Sequence, residues 1–472
     1  MSQSPESSIT EGSLARPLFT LAWPIVVTEL LQVAYNIADT IWLGRTAEPA
    51  AAIGALSLAF PLIFLLLSVG GGFTVAGSTL VAQYTGAGGD DSAGKAAGQT
   101  LSFVTILAVF LGILGYFTTR PLLALLPTDP ETAADVIPLA AEYMEVFFLG
   151  TPFLFGFFVF SALMRGYGNT RTPMRVMVLS VGLNVVFDPF LIFGWWVFPE
   201  LGVAGAAWAT LISRAAATVV GMYVLFSLQA GPAVRLEHLK PDLTYITKIV
   251  RIGVPSALEQ STSALAMLTL TAMVVTFATP VVAAYGLGNR LISLVFLPAM
   301  GLGRATNTMV GQNLGAGKAD RAEKAVKLAA GVGAGVMLGV AGIALLFAEP
   351  IVNVFLTTNT ADAALTVRLG AEYLRIRTVE FAFIGVLQVL LGAYRGAGNT
   401  KTALVFSLVA LWLGRVPTVY YLAFVAGLGA TGIWIGMALG NIVGAIGAGA
   451  WFTRGTWKRA VVDTGTTAAG ED

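Results

Sequence analysis

Long stretches of apolar residues, separated by short polar breaks, follow one another along almost the whole chain of 472 residues. A helix needs about 20 mostly apolar residues to cross the hydrocarbon core of a bilayer. Twelve stretches reach this length, and we predict that each forms a membrane-spanning helix. They lie near residues 18–43, 52–82, 97–119, 138–164, 173–194, 203–228, 248–276, 281–311, 325–348, 370–393, 402–424 and 430–452. Several exceed the thickness of a bilayer, which predicts tilted or kinked helices, or helices that protrude beyond the lipid.

The chain also repeats itself at a spacing of about 230 residues. RGYGNTRT at 165–172 returns as RGAGNTKT at 395–402, and QYTGAG at 83–88 returns as QNLGAG at 312–317. Self-similarity at a fixed offset indicates one structural unit used twice. Because each half contains an even number of predicted spans, both halves enter the membrane in the same direction. This predicts parallel repeats related by a pseudo-two-fold axis along the membrane normal.

These patterns predict an all-α polytopic membrane protein built from two six-helix bundles. The most hydrophilic internal stretch, 228–247, separates segments six and seven and is the predicted linker. The predicted parts are a cytoplasmic N-terminal tail at 1–13, an N-terminal lobe at 14–228, a cytoplasmic linker at 229–247, a C-terminal lobe at 248–452 and a cytoplasmic C-terminal tail at 453–472.

Composition supports a membrane protein and excludes several kinds of chemistry. Hydrophobic residues make up 56% of the chain and charged residues only 11%, whereas about a quarter of the residues in a soluble domain are charged. The 27 basic and 26 acidic residues nearly balance, so no overall field attracts nucleic acid. Without cysteine and with a single histidine, the chain offers no thiolate or histidine metal cluster. We expect no cofactor, no nucleic-acid partner, and an exposed His238 in the polar linker.

Lysine and arginine are distributed unequally between the two sets of loops. Eighteen lie in or beside the termini and the loops after the even-numbered segments, whereas three, Arg45, Arg120 and Arg368, lie in the opposite loops. Loops rich in these residues remain in the cytoplasm. We therefore predict a multi-pass protein of the plasma membrane with both termini cytoplasmic.

Polar side chains within the first predicted span form a stripe. Thr28, Gln32, Tyr35, Asn36 and Asp39 recur at helical spacing, which places them on one face. An aspartate at mid-bilayer costs about 2.5 to 3.5 kcal/mol on insertion scales, so an intramembrane carboxylate indicates a function. We predict that this stripe faces the interior of the bundle.

The fifth span carries a second polar face, with Ser180, Asn184 and Asp188 at steps of four residues. The oxygens of Asp39, Asn184 and Asp188, with the hydroxyl of Thr210 on the sixth span, are hard ligands suited to an alkali cation. Two close carboxyl groups are equally suited to hold a proton. The sequence leaves proton and sodium open. It also leaves open purely structural roles, in which Asp39 reaches outward from a helix end and Asp188 ends a helix before a proline.

Three further intramembrane residues have mainly structural interpretations. Pro24 removes a backbone hydrogen bond within the first span, which predicts either a hinge or a static kink. In the second half, Glu380 has Arg377 three residues earlier, and other arginines are available to Glu259 and Glu380. We therefore expect ion pairing for both glutamates and leave them out of the predicted site.

Over residues 14–452 the chain resembles the MATE family, the multidrug and toxic compound extrusion transporters, and is most similar to its prokaryotic DinF-type branch. The resemblance rests on the two repeated RGxGNTxT loops, on QNLGAGK at 312–318, on the first-span run from WP at 23–24 to DT at 39–40, and on NVVFDP at 184–189. It implies two lobes around a cavity that opens alternately to either side. It also implies export of bulky, often cationic or amphipathic compounds, driven by inward proton or sodium movement.

The resemblance also implies roles for individual residues. The implied cation-coupling residues are Asp39, Asn184, Asp188 and Thr210, the only place where we expect Na⁺ as a bound metal. The residues that we expect to line or support the cavity are Gln32, Tyr35, Asn36 and Tyr143. Pro24 matches a proline at which the first helix bends. Other branches carry paired acids on segments seven and ten, but Glu259 and Glu380 do not have the expected spacing, which favours coupling in the N-terminal lobe.

A monomeric, cation-coupled antiporter of small molecules is the function that these features favour. The alternative is a flippase of lipid-linked oligosaccharide precursors, although a pyrophosphate group would require a more cationic cavity than this acidic, amide-rich stripe. An intramembrane enzyme would require clustered acids, paired histidines or an activated nucleophile, and the sequence contains no such motif. A channel suits a duplicated, even-numbered bundle less well than alternating access does.

Overall fold

The computed structural model of the protein describes residues 9–125, 130–228, 230–355 and 361–462, without the side chains of 130–133 and 361–362. Helices in the first half are α1 (Ala15–Leu43), α2 (Pro49–Gly86), α3 (Asp90–Ala124), α4 (Pro130–Leu149), α5 (Thr151–Tyr167), α6 (Arg171–Ile192) and α7 (Gly202–Ser227). Helices in the second half are α8 (Leu243–Val274), α9 (Thr279–Gly315), α10 (Ala319–Leu346), α11 (Ala348–Asn353), α12 (Ala361–Gly396), α13 (Thr400–Leu408), α14 (Val416–Tyr420) and α15 (Gly429–Phe452). All twelve predicted segments are helical, which confirms the all-α class.

α13 and α14 belong to one longer helix, which is widened by two short π-helical stretches. Val409–Arg415 and Tyr421–Val425 are π-helical, so Thr400–Val425 forms one continuous span of mixed helical type. A separate 3₁₀ helix, Leu236–Leu239, lies in the linker between the halves. π-helical turns are rare and occur frequently at functional sites.

Most of the described helices can cross a membrane. Ten spans are long and apolar enough, and the pair α4 and α5 brings the number to eleven. The remaining predicted segment lies in α8, whose 32 residues include polar side chains from Glu259 to Ser263. Large apolar side chains are highly exposed on the outer surface, as at Phe117 (73%) and Leu346 (77%). The chain is therefore a multi-pass membrane protein.

The fourth predicted segment, 138–164, is not a single straight helix, and its bend is one of the kinks predicted for spans longer than the bilayer is thick. α4 and α5 meet at Gly150 with a bend of 54°. Pro152, in the first turn of α5, has no backbone N–H and cannot donate to the carbonyl of Phe148 one turn earlier. The missing hydrogen bond explains why the helix breaks here.

The repeated loops have the same backbone conformation in both halves. Gly88 and Gly317 have φ of 73° and 72°, and Gly168 and Gly398 have φ of 101° and 75°. These values lie in the left-handed region, which glycine enters without steric cost. The repeat in the sequence therefore corresponds to a repeat in the structure.

The chain divides into two compact units, and the division does not follow the linker. One unit comprises Val27–Ala257, and the other comprises the residues up to Val26 together with those from Leu258 onward. The boundaries fall inside α1 and α8, two residues after Pro24 and Pro255 respectively. Within the first unit α2 packs against α3, α4 and α5, and within the second α12 packs against α9, α10 and α15.

Each half thus contributes the beginning of its first helix to the unit formed by the other half. A Cβ atom on Gly72 of α2 would overlap the backbone of Ala257 in α8, and one on Gly301 of α9 would overlap the side chain of Val26 in α1. Gly72 and Gly301, like Val26 and Ala257, are about 230 positions apart. The exchange is therefore reciprocal and follows the internal repeat.

The linker packs against α3. The side-chain nitrogen of Gln99 donates to the carbonyl oxygens of His238 and Lys240 at 2.7 and 2.5 Å, and its oxygen accepts from the backbone N–H of Asp242 at 2.9 Å. His238 is only 6% exposed, so the prediction of an exposed histidine was wrong. The reason is Gly98, which leaves room for it: a Cβ there would lie 2.7 Å from the Cβ of His238.

The last residues of the predicted N-terminal tail are held in place. Ile9 is buried at 2% exposure, and its carbonyl oxygen accepts from the side chain of Asn313 at 3.3 Å. Arg321 donates to the carbonyl oxygens of Ile9, Glu11 and Gly12 at 3.2, 2.8 and 2.9 Å. Residues 9–12 are therefore anchored to the start of α10.

Candidate cation site in the first half of the chain

Three helices of the unit Val27–Ala257 bring the predicted cation-coupling residues together. Asp39 lies on α1, Asn184 and Asp188 lie one turn apart on α6, and Thr210 lies on α7. All four are buried, and Asn184 and Asp188 have no exposed surface. Polar residues 171 positions apart in the sequence thus form one cluster inside a membrane protein.

Two carboxyl groups lie side by side at the centre of this cluster. Asn184 donates from Nδ2 to Oδ1 of Asp188 at 3.2 Å, and Asp39 lies within hydrogen-bonding reach of both Asp188 and Asn184. Two neighbouring carboxylates repel each other when both are ionised, and a shared proton or a bound cation removes that repulsion. The pair is therefore suited to gain and lose one cation.

Four oxygens in the cluster have no hydrogen-bond partner among the described residues. They are Oδ1 of Asp39, Oδ1 of Asn184, Oδ2 of Asp188 and Oγ1 of Thr210. An unpartnered buried polar group costs about 1 to 3 kcal/mol, and here four come from three helices. Carboxylate, amide and hydroxyl oxygens are the donor set that a hard cation prefers.

The structural roles that the sequence left open do not fit. Asp39 is 4% exposed and contacts α6, so it does not reach outward from a helix end. α6 continues through Pro189 to Ile192, so Asp188 does not end the helix. Both carboxyl groups instead point into the shared cluster.

The residues predicted to support the cavity differ in their placement. Tyr35 is buried, and its hydroxyl shares a hydrogen bond of 3.2 Å with Ser213 of α7. Tyr143 is also buried and interacts electrostatically with Asp39 and Asp188. Both tyrosines therefore border the acid pair.

Gln32 and Asn36 lie at the edge of the cluster. Gln32 donates to the side-chain oxygen of Asn36 at 3.3 Å and accepts from Arg214 at 2.5 Å. Asn36 is exposed, and its side chain contacts Gln32. Pro24 belongs to the other unit and has no place in the cluster.

Arg214 on α7 is a member of the cluster that the sequence analysis missed. It is 2% exposed, and its guanidinium lies over the rings of Tyr35 at 4.8 Å and Phe157 at 5.2 Å. It also interacts electrostatically with Asp39. An arginine in the middle of an apolar span is a signal for function, so this residue was open to prediction.

The two glutamates of the second half are ion-paired, as expected. Glu259 accepts from Arg395 at 2.6 Å and from Ser407 at 2.7 Å. Glu380 pairs with Arg377, and its Oε2 lies 3.8 Å from Nη2 of Arg415. Neither glutamate has an unpartnered carboxylate oxygen among the described residues, unlike Asp39 and Asp188.

Comparisons with known proteins identify the family to which both halves of the chain belong. The family model MatE matches twice, at residues 24–190 and 255–421. The chain is 31% identical over 451 residues to the probable multidrug resistance protein YpnP of Bacillus subtilis, covering 95% of this chain and 97% of that protein. It is 30% identical over 446 residues to the probable multidrug resistance protein YoeA of the same organism, covering 92% and 94%.

A solved structure has the same fold over nearly the whole chain. It is described as the outward-facing conformation of a multidrug resistance MATE family transporter of the MOP superfamily, and it matches with a TM-score of 0.86 and 26% identity over 97% of this chain and 99% of that one. The two matches of the family model begin at Pro24 and Pro255, the prolines beside the unit boundaries. The chain therefore belongs to the MatE family, the multidrug and toxic compound extrusion transporters, and is a carrier of small molecules rather than an enzyme.

Proposed function

We propose that this protein is a multidrug efflux antiporter, and that the cation driving export binds at Asp39, Asn184, Asp188 and Thr210. Four buried oxygens without partners carry the proposal. A cation that enters this cluster satisfies oxygens that otherwise remain unpaired, so its binding has a clear physical driving force. Family membership supplies the transport activity, and the cluster supplies the coupling.

The coupling ion is H⁺ or Na⁺. A proton is held between the two carboxyl groups, whereas Na⁺ takes oxygens from all four residues. In either case the cation enters from outside and the substrate leaves the cytoplasm by alternating access. Substrates of this transporter are cationic or amphipathic small molecules, which the family resemblance and the acidic stripe of α1 support.

The proposed setting is the plasma membrane, with a monomeric protein and both termini in the cytoplasm. The unequal distribution of lysine and arginine supports this orientation. The anchored residues 9–12 contact Lys318 and Arg321 at the start of α10, in a loop that the same rule assigns to the cytoplasm.

The proposal is tested with purified protein in liposomes under an imposed proton gradient and, separately, a sodium gradient at fixed membrane potential. Ethidium, a cationic dye, serves as the transported probe. Asp39→Asn and Asp188→Asn each remove one of the two carboxylates, so we expect gradient-driven ethidium transport to fall to the level of empty liposomes. The gradient that supports wild-type transport identifies the coupling ion.

Asp135→Asn provides the matched control, since it removes an exposed carboxylate from α4 of the same unit. It is expected to transport at the wild-type rate. Normal gradient-driven transport by either Asp39→Asn or Asp188→Asn, in protein that folds as well as wild type, would contradict the proposed site.

A further inference from the structure

The second half of the chain contains a buried cluster with more positive than negative charge. Arg377 and Glu380 on α12 are 1% and 0% exposed, and Arg415, at the end of the π-helical stretch, is 12% exposed. Two guanidinium groups share one carboxylate, which leaves a net charge of about +1 in a low-dielectric interior. Such an excess charge is costly unless a counterion neutralises it.

Glu380 already has a hydrogen-bond partner at each of its carboxylate oxygens. Arg377 pairs with Glu380 Oε1, donates to the hydroxyl of Tyr373 at 2.8 Å and contacts the sulfur of Met437 at 3.6 Å. The other carboxylate oxygen of Glu380 accepts from Asn441 at 2.7 Å. Both oxygens of Glu380 are therefore engaged before Arg415 is considered.

Arg415 is left with unsatisfied donors. Its nearest carboxylate contact is the 3.8 Å separation from Glu380, and its Nε and Nη2 have no hydrogen-bond partner among the described residues. A guanidinium presents these two N–H groups side by side, in the geometry that matches a carboxylate, sulfonate or phosphate.

A second unpartnered donor belongs to the same cluster. Trp434 of α15 has no exposed surface, and its Nε1 has no partner in the described structure. Its ring packs edge-on against Tyr373 at 4.8 Å and stacks with Tyr285 at 6.5 Å, and both tyrosines interact electrostatically with Arg415. Trp434 therefore packs against the same two tyrosines that interact with Arg415.

The backbone at Arg415 is adapted to this position. Val409–Arg415 is π-helical, and the glycine at 440 lets α15 approach so closely that a Cβ there would lie 2.6 Å from the Cβ of Arg415. A π-helical turn is less favourable than an α-helical one and persists frequently where a side chain is placed for function. Here it places a guanidinium whose donors are unused.

We propose that Arg415, together with Trp434, binds an anionic group of a transported small molecule. One carboxylate, sulfonate or phosphate monoanion neutralises the net charge of the cluster and accepts the unused N–H groups. This inference rests on the proposed function for the statement that the ligand is exported, and it extends the substrates to molecules that carry an acidic group.

The test is a binding measurement on the purified full chain in lipid nanodiscs, by isothermal titration at low ionic strength. The probes are naphthalene-2-sulfonate and 2-naphthylmethylammonium, which share a ring and differ in charge. We expect the wild type to bind the sulfonate, Arg415→Gln to weaken its binding at least about tenfold, and Arg415→Lys to weaken it less. Binding of the ammonium probe should not weaken in any variant.

Arg459→Gln is the matched control, because it removes an exposed arginine beyond the last helix and should leave sulfonate binding unchanged. Trp434→Phe retains an aromatic ring and removes only the N–H donor, so it tests the site if Arg415→Gln fails to fold; we expect a loss of about threefold to tenfold. The proposal is overturned if the wild type does not bind the sulfonate, or if Arg415→Gln and Trp434→Phe bind it as tightly as the wild type does.

Ethidium transport by Arg415→Gln under the cation gradient tests the proposed function separately, since the acid pair remains intact.

Discussion

Arg214 gives the acid pair of the first half a fixed positive neighbour. With Asp39 and Asp188 ionised, the three side chains carry a net charge of about −1, so a single bound cation makes the cluster neutral. The guanidinium is held by Gln32 and by the rings of Tyr35 and Phe157, and no ion pair within 4.0 Å joins it to either acid among the described contacts. Arg214 therefore acts on the pair through its charge.

Replacing Arg214 with glutamine should strengthen cation binding at the acid pair. Removing a buried positive charge beside the site eliminates repulsion of the order of 1 to 2 kcal/mol, so the coupling-ion concentration for half-maximal transport should fall roughly tenfold. Charged and titratable groups facing Arg214 are Tyr35 and Asp39 on α1, with Tyr143 and Asp188 beyond them. The measurement is liposome transport against ion concentration.

Arg214→Lys keeps the charge and should remain close to wild type, whereas Arg175→Gln removes an exposed charge from α6 and serves as the control. An unchanged or raised ion requirement in Arg214→Gln would show that its charge does not act on the pair.

Sequence reasoning identified the acids but not their full surroundings. Helical spacing placed Asp39 on one face of α1, and Asn184 and Asp188 on one face of α6, because that periodicity is local. Helical spacing alone could not predict that Arg214 and Ser213 of α7 face α1. Such contacts, here with Gln32 and Tyr35, depend on how helices pack. A mid-span arginine was visible in the sequence, and its neighbours were not.

At the scale of elements, glycines on α3 determine how the linker is held. Gly94 and Gly98 lie one turn apart, and a Cβ on either would overlap the linker. The groove that they form accepts the backbone around His238, while Gln99 supplies hydrogen bonds to the same segment. A linker predicted to be a solvated loop is instead packed on a helix.

Gly98→Ala should release this linker. The added methyl group would lie 2.7 Å from the Cβ of His238, so the linker must move, and overpacking of this kind costs typically 1 to 3 kcal/mol. We expect faster trypsin cleavage after Arg235, which is 62% exposed, and a lower melting temperature. Gly182→Ala on α6 meets no atom within 4 Å and should be neutral or slightly stabilising; equal cleavage rates in the two variants would count against the packed linker.

The ion pair between Lys95 and Asp242 adds a pH-dependent contact to the same linker. The hydrogen bond from Lys95, at 2.7 Å, holds the pKa of Asp242 below its usual value. A carboxyl group with a lowered pKa stabilises the folded state above its ordinary pKa, near 3.9, and this contribution is lost as pH falls through the lower folded value. Because both side chains are partly exposed, the contribution is small.

Asp242→Asn should therefore increase trypsin cleavage after Arg235 modestly at neutral pH, with little change in melting temperature. Asp90→Asn, at the exposed start of α3, is the comparison and should leave cleavage unchanged. If trypsin cleaves Asp242→Asn and the wild type after Arg235 at the same rate, the ion pair does not hold the linker.

At the scale of the whole molecule, the two halves exchange the beginnings of their first helices. The unit boundaries follow Pro24 and Pro255, where the missing N–H weakens the helix. Because α1 and α8 each belong to both units, any relative movement of the units must be absorbed near these two prolines. Pro255 is the repeat counterpart of Pro24, and its position was not singled out from the sequence.

Pro24→Ala and Pro255→Ala should each slow transport while preserving the fold. Alanine restores the backbone donor and stabilises the straight helix, so bending costs more in each transport cycle. Ethidium transport in liposomes at saturating gradient measures the effect, with Pro121→Ala of α3 as the control, since that proline lies within one unit. Wild-type rates in both variants would show that neither proline is a hinge.

Of the whole architecture, the duplication could be predicted most fully. Its sequence signals are the repeated glycine loops, and the backbone of those turns requires glycine. The reciprocal exchange was not predictable from hydropathy, which locates a helix without showing what each end packs against. Kinks were expected in the longer spans, but the position of the break between α4 and α5 was not predicted, since Gly150 and Pro152 lie in an unbroken apolar run. The acid pair has no counterpart in the second half: the position equivalent to Asp39 is Leu270.

The anchored residues 9–12 have a mechanical consequence for α1. The helix is fixed at its amino end by Arg321 and Asn313, and near its carboxyl end Asp39 belongs to the other unit, with Pro24 between them. If the proposed cation displaces Asp39, sliding the whole helix along its axis would not relieve the displacement, because the residues before the helix are held by Arg321 and Asn313. Under that proposal the displacement would become a torque about Pro24, with residues 9–12 as the fixed end.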